Sequence, residues 1–201
     1  MPSTGPQART RPRDARATSE LILTAATSEF ARHGYAGARI DRIADAAGAN
    51  KRLIYVYFGD KDRLYAAVLD RQLERLVTNV PFVAADMPGF AAARFDYVLA
   101  HPEVGRLAAW RTFEPAAEAT ENEIQSYQER VAAVAAAQSA GSVDDAIPAV
   151  DLFALVLRMT QAWLSAPPAL RAVTGDPDSD ARLGQHRQAL VEAVRRLTTR
   201  P

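Results

Sequence analysis

Gly34, Gly48 and Gly59 limit what the first part of this chain can fold into, because each one stops a run of apolar residues set at helical spacing. Ile22, Ala25, Ala26 and Phe30 fall at i, i+3, i+4 and i+8. Ile40, Ile43, Ala44 and Ala47 fall at i, i+3, i+4 and i+7, and Ile54 and Phe58 lie one turn apart. This period puts side chains along one face of an α-helix. Glycine ends a helix readily because it adopts the left-handed conformation without a Cβ clash. The pattern therefore predicts a first helix that starts within 14–19 and ends at His33, with Gly34 as its left-handed cap. A second short helix closes at Gly48, a third runs from Asn50 to Phe58, and a longer fourth follows Asp60. Residues 38–58 read as helix, tight turn, helix, with one helix before and one after.

The rest of the chain shows no strand-like alternation and no Asn-Gly or Asp-Gly hairpin signal. Helical segments are expected at 90–101, 103–113, 121–139, 147–166 and 180–198. Pro81, Pro88-Gly89, Pro115, Gly141, Pro167-Pro168 and the loop at 175–180 mark the breaks. The fold class is all-α. Residues 1–13, with Pro2, Pro6 and Pro12 and almost nothing to bury, are expected to form a disordered basic tail.

Composition removes several alternatives. Hydrophobic residues make up 48% of the 201, enough for a substantial core, and there is no cysteine. Disulfides, thiolate nucleophiles and cysteine metal sites are therefore excluded. The first residues lack the apolar run of a signal peptide, and no stretch reaches the roughly 18 apolar residues of a membrane helix. No membrane partner and a cytoplasmic location are expected. His33, His101 and His186 are far apart and in no metal-ligand spacing. There is also no phosphate loop, nucleophile elbow or HExxH. No catalytic residue, metal or cofactor is expected, and an all-helical enzyme is a remote alternative.

Formal net charge is zero but unevenly spread. Residues 1–63 carry 11 Lys and Arg against 7 Asp and Glu, and the remainder carries 13 against 17. A basic N-terminal third suits an anion-facing module. The third helix sharpens that. Asn50 is a good N-cap, Lys51 and Arg52 occupy the first turn, and Ile54 and Phe58 face inward. Two cations at a helix N-terminus are mildly unfavourable, and a phosphate backbone reverses the sign. Tyr55 and Tyr57 flank the helix, where hydroxyls can reach phosphate oxygens. Taken singly, each ring also suits a half-buried position and each cation a solvated face. Val56 fits a thymine methyl or a plain surface or core site. Together with the tight turn, the set points to a helix placed in a DNA major groove. Arg39, near the start of the preceding helix, and Lys61, past the next turn, are further candidates for phosphate contact.

The stretch LILTAATSEFARHGYAGARIDRIADAAGANKRLIYVYFGDKDRLYAAVL, residues 21–69, resembles the N-terminal domain of the tetracycline-repressor (TetR) family of transcriptional regulators. The likeness rests on ILTAATSEFARHGY, RIADAAG, IYVYF and DKDRLYAAVL in order, and covers about a quarter of the chain. It implies that Asn50, Lys51, Arg52, Tyr55, Tyr57 and Lys61 fall where relatives contact DNA. Arg39 falls where relatives often place Ser or Thr. Three positions depart from the pattern: Ala38 replaces the usual Thr cap, Leu53 a small hydroxyl residue, and Arg52 a common Gly. The domains expected on this likeness are a helix-turn-helix DNA-binding domain at 14–62 and a helical effector-binding and dimerisation domain at 63–201. The partners expected are a double-stranded DNA operator, a small-molecule effector and a second copy of the chain.

The C-terminal part supports this only partly. Leu183, Leu190 and Leu197 recur every seven residues with Val194 between, and Val150, Ala154, Leu157, Gln161 and Leu164 form a second stripe. Phe153, Leu157, Leu164, Leu183, Leu190, Val194 and Leu197 are dimer-interface candidates, and internal core is the other reading. Phe95, His101, Trp110, Phe113, Tyr127, Met159 and Trp163 are effector-pocket candidates, with Phe90 and Tyr97 nearby. They supply rings and polar tips among alanines that leave room. Each alone also suits ordinary core, and His101, ahead of Pro102, suits a helix end. The resulting expectation is a dimeric repressor released from a palindromic operator by a small, largely apolar effector. A DNA-binding regulator without an effector is the alternative.

Overall fold

The computed structural model describes residues 12–112 and 118–199. Among them there are ten α-helices, one 3-10 turn and no strand. Contacts divide the chain into two compact units. One comprises the residues up to Leu69 and the short stretch from Trp110; the other comprises 70–109 and the residues from 118 on. Among the described residues no single helix is long and apolar enough to cross a membrane.

The first unit is built from α1 (Pro12–Gly37), α2 (Ile40–Ala47), α3 (Lys51–Phe58) and the beginning of α4 (Lys61–Asn79). Of the tail expected at 1–13, residues 1–11 lie outside the described residues and α1 starts at Pro12. Gly34 breaks α1 with φ 66° and ψ 177°, and the chain resumes helical turns as far as Gly37. The stripes meet as their spacing demands. Ile22, Ala26, Phe30, Ile43, Ala44, Ile54, Leu64 and Val68 are buried. Each large member contributes about 1.5–3 kcal/mol relative to an exposed position. Rings close the unit: Phe30 lies 4.8 Å from Tyr65, and Tyr35 lies 5.3 Å from Tyr65.

The second unit is centred on α5 (Met87–Ala100), packed against α8 (Ala149–Met159) and α10 (Asp180–Thr198). The remaining helices are α6 (Pro102–Arg111), α7 (Glu121–Ser139) and the short α9 (Pro168–Ala172). Met87, Phe90, Phe95, Val134, Val143, Leu152, Phe153, Val156, Leu190 and Val194 form one core cluster. Gln138, itself buried, donates to Asp144 O at 2.8 Å and Ile147 O at 2.7 Å, fastening the turn between α7 and α8.

Two boundaries in the second unit move for reasons that its side chains supply. The helix expected from Phe90 starts at Met87, because Asp86 accepts a hydrogen bond from Gly89 N at 2.9 Å and Pro88 sits in the first turn, where its missing N–H costs nothing. A Cβ on Gly89 would lie 2.2 Å from Asp86 Oδ2, so this cap needs the glycine. The helix expected at 147–166 ends at Met159. Backbone bonding then tightens to three-residue steps, Gln161 N to Arg158 O and Ala162 N to Met159 O, both 3.1 Å. Thr160 is fully buried, and its hydroxyl donates to Leu157 O at 2.7 Å. That local bond competes with continued helix.

Candidate functional site

The turn between α2 and α3 follows from local chemistry. Gly48 is left-handed, with φ 61° and ψ 28°, and its N–H bonds back to the end of α2. Asn50 then caps α3, its Oδ1 accepting from Arg52 N at 2.8 Å. Ile54 is buried and anchors α3 from below. The opposite side of α3 is open: Lys51, Arg52, Tyr55 and Val56 are exposed, with Tyr55 46% and Val56 65% accessible. Tyr57 is half-buried with its ring edge-on to Phe58 at 6.5 Å. A capped helix N-terminus flanked by exposed cations, beside accessible rings, has the chemistry that phosphate and base edges require.

α2 lacks a side-chain cap of its own, because Ala38 and Arg39 offer no acceptor. The acceptor comes from α1. Glu29, only 8% exposed, accepts from Arg39 N at 2.9 Å and from Arg42 Nε at 2.7 Å, with His33 Nε2 3.7 Å away. Arg42 also donates to Gly37 O at 2.8 Å. Burial pushes the Glu29 carboxyl up, but the hydrogen bonds from Arg42 and Arg39 and the charges of Arg42 and His33 outweigh it and hold it below its ordinary value. The departure at Ala38 is thus compensated by a carboxylate ten residues before Arg39. Glu29 was not among the sequence candidates, yet a signal existed: it stands three residues after Ala26, on the inward face, where a carboxylate needs partners.

The cations differ in state. Lys51 Nζ lies 2.7 Å from Asp41 Oδ1, and that hydrogen bond raises its ammonium pKa above the ordinary value. Lys61 lies over the Tyr35 ring, 4.6 Å from its centroid, while Tyr35 donates to Asp62. Arg39 and Arg52 are exposed.

Residues 22–68 match the family described as bacterial regulatory proteins, tetR family, and residues 86–196 match the tetracyclin repressor-like C-terminal domain. The HTH-type transcriptional repressor SCO4008 of Streptomyces coelicolor is 41% identical over 191 residues, covering 94% of this chain and 98% of that protein. The chain belongs to the TetR family. It is a DNA-binding, helix-turn-helix transcriptional regulator with an all-α fold. Among solved structures, the transcriptional regulator SCO4942 of S. coelicolor superposes with a TM-score of 0.80 at 36% identity, covering 92% of this chain and 99% of that one. A TetR-family regulator from Marinobacter aquaeolei, 20% identical, shares the fold with a TM-score of 0.71, covering 94% of this chain and 100% of that one.

For this TetR-family chain, three of the seven dimer-interface candidates turn fully inward. Phe153, Leu190 and Val194 are buried, and Leu157, Leu164, Leu183 and Leu197 are half-buried against the same core. On α8 the exposed large apolar residues are instead Val150 and Leu155. The pocket candidates scatter. Phe95 is buried, and Met159 packs partly buried on the core. Trp163 is buried and donates to Pro177 O at 3.1 Å. His101 lies 3.5 Å from Glu103, Trp110 donates to Ala31 O at 3.3 Å, and Tyr127 is half-exposed. Phe113 lies outside the described residues. The grooves of the second unit include two of similar size. One, of about 490 Å³, includes Val98, Leu99, Arg106, Leu164 and Arg171 in its lining; the other, of about 410 Å³, includes Leu73, Val77, Phe82, Glu129 and Arg130. Neither is lined by the candidate rings among the described residues, which pack into the core or project elsewhere.

Proposed function

We propose that this protein is a homodimeric repressor that inserts α3 of each subunit into successive major grooves of a palindromic operator and leaves it when a small effector binds the C-terminal unit. The observation that carries this reading is the outward face of α3. Asn50 is held as its cap, Ile54 is its anchor, and Lys51, Arg52 and Tyr55 are presented to solvent. Arg39, Tyr57 and Lys61 lie around the same helix in sequence and supply phosphate contacts. The two half-sites would be centred about 34–36 Å apart. Repression is inferred from the 41% identical repressor of S. coelicolor. Dimerisation is assigned to the exposed Val150 and Leu155 of α8 together with the outward side of α10. The two grooves of the C-terminal unit, each about 400–500 Å³, match the size of small-molecule sites.

The test is selection of duplexes from a random pool, followed by salt titration of the winners. The expected result is a palindromic motif with a steep salt slope. An asymmetric motif or no enrichment contradicts the proposal.

A further inference from the structure

Base reading by α3 falls to few of its residues, because several of its side chains are already engaged. Asn50 Oδ1 accepts from Arg52 N at 2.8 Å to cap the helix. An asparagine reads adenine by turning both amide atoms to the base edge, and here the oxygen is turned back onto the backbone. Lys51 Nζ lies 2.7 Å from Asp41 Oδ1, drawn towards α2, and a compact ammonium suits a phosphate as a point charge. Ile54 is buried, and Leu53, Tyr57 and Phe58 are half-buried.

Arg52, Tyr55 and Val56 remain exposed. The hydroxyl of Tyr55 suits a phosphate oxygen. The other two suit base edges. Among the described residues the Arg52 guanidinium has no hydrogen bond or ion pair. Val56, 65% exposed, is an aliphatic side chain left out of the core that Ile54 enters. Arg52 and Val56 are four residues apart, so they stand on one stripe of the helix.

We propose that this pair sets operator specificity: Arg52 donates to O6 and N7 of a guanine, and Val56 packs on the C5-methyl of a thymine about one or two base pairs away. The guanidinium fork matches the two acceptors of guanine, and the thymine methyl is the apolar group that the major groove offers an aliphatic side chain. The spacing follows from the helix. Four residues rise about 6 Å, and base pairs stack about 3.4 Å apart. The proposal rests on the placement of α3 in a major groove and names what it reads there. Arg52 stands where the family resemblance gives a common Gly, so the guanine contact is this chain's own.

The test remakes the duplex selected from the random pool with single base analogues in one half-site, and follows binding by fluorescence anisotropy. 7-Deazaguanine removes N7 alone, and deoxyuridine removes the thymine methyl alone. The native chain is expected to lose about tenfold with 7-deazaguanine and about threefold with deoxyuridine. Arg52→Ala is expected to become indifferent to the first and Val56→Ala to the second, with helical circular dichroism unchanged. Both variants keep the backbone N–H that Asn50 caps. Lys51→Ala is expected to weaken binding and keep both analogue effects. Equal losses in native and variant chains overturn the proposal. So does an Arg52→Ala defect that lowers the salt slope and keeps the guanine preference, which places Arg52 on phosphate. A palindrome without a guanine and a thymine at this spacing overturns the pair and leaves the repressor reading standing. An asymmetric motif that carries the pair, with both analogue effects, supports the pair and contradicts the palindrome. No enrichment contradicts both.

Discussion

Glu29 in the N-terminal unit and Arg94 in the C-terminal unit are equally buried, each with 8% of its surface exposed, yet their surroundings are opposite. Glu29 is enclosed by Arg42, His33 and the backbone N–H of Arg39. Arg94 meets one hydroxyl and, beyond it, a second arginine. The N-terminal unit satisfies its buried charge internally, which fixes the start of α2 and so holds the platform for α3. The C-terminal unit leaves its buried charge unmatched. A unit that must present the same surface to every operator is served by closed pairing.

Substitutions at these two positions should move stability in opposite directions. Glu29→Ala leaves Arg42 without its anion and α2 without its cap, so denaturant unfolding should show a loss of about 3 kcal/mol. Arg94→Met replaces an unmatched charge with an apolar chain of similar length, and the same measurement should show a gain of about 1–2 kcal/mol. A loss at Arg94 as large as that at Glu29 would erase the contrast and mean that Arg94 is structurally paired.

The contrast also carries a pH signature. Because the folded pKa of Glu29 is depressed, its contribution is fully present above the unfolded value and is lost as pH falls through the folded one. Stability followed on the acid side of 4.5, the ordinary glutamate value, should decline less steeply in Glu29→Gln than in the native chain. Identical acid profiles would remove Glu29 as the cause.

Smaller effects are expected on the DNA-facing surface, where pairs are exposed. Lys51→Ala and Tyr55→Ala should each weaken operator binding by about 1 kcal/mol without changing helicity, and Lys51→Ala should also reduce the salt slope. Both variants binding at native strength would place the recognition surface elsewhere. Asp41→Asn frees Lys51 from an exposed, solvent-screened pair. Operator affinity measured by fluorescence anisotropy should then rise a few-fold, and a fall would mean that Asp41 positions Lys51 for contact.

Most helices were legible in the sequence, because their causes are local. The stripe through Ile22, Ala26 and Phe30, the left-handed turn at Gly48 and the Asn50 cap each involve residues within a turn or two of one another. The α8 terminus was misplaced because the deciding group, the buried Thr160 hydroxyl, gains its role only when Arg94 arrives from α5.

Sequence alone determined the all-α class, the short helices set off by glycines, and which residues of α3 share a face, since these depend on period and backbone freedom over a few positions. Tertiary structure decided what each face meets. Leu190 belongs to a seven-residue repeat, with Val194 set between its members, that suits a partner helix equally well, and packing turned both into their own core. Glu29 became the cap of α2, and Arg94 was given the Thr160 hydroxyl rather than a carboxylate among the described residues. Periodicity specifies a side of a helix, whereas burial and pairing depend on which distant residues share the space beside it.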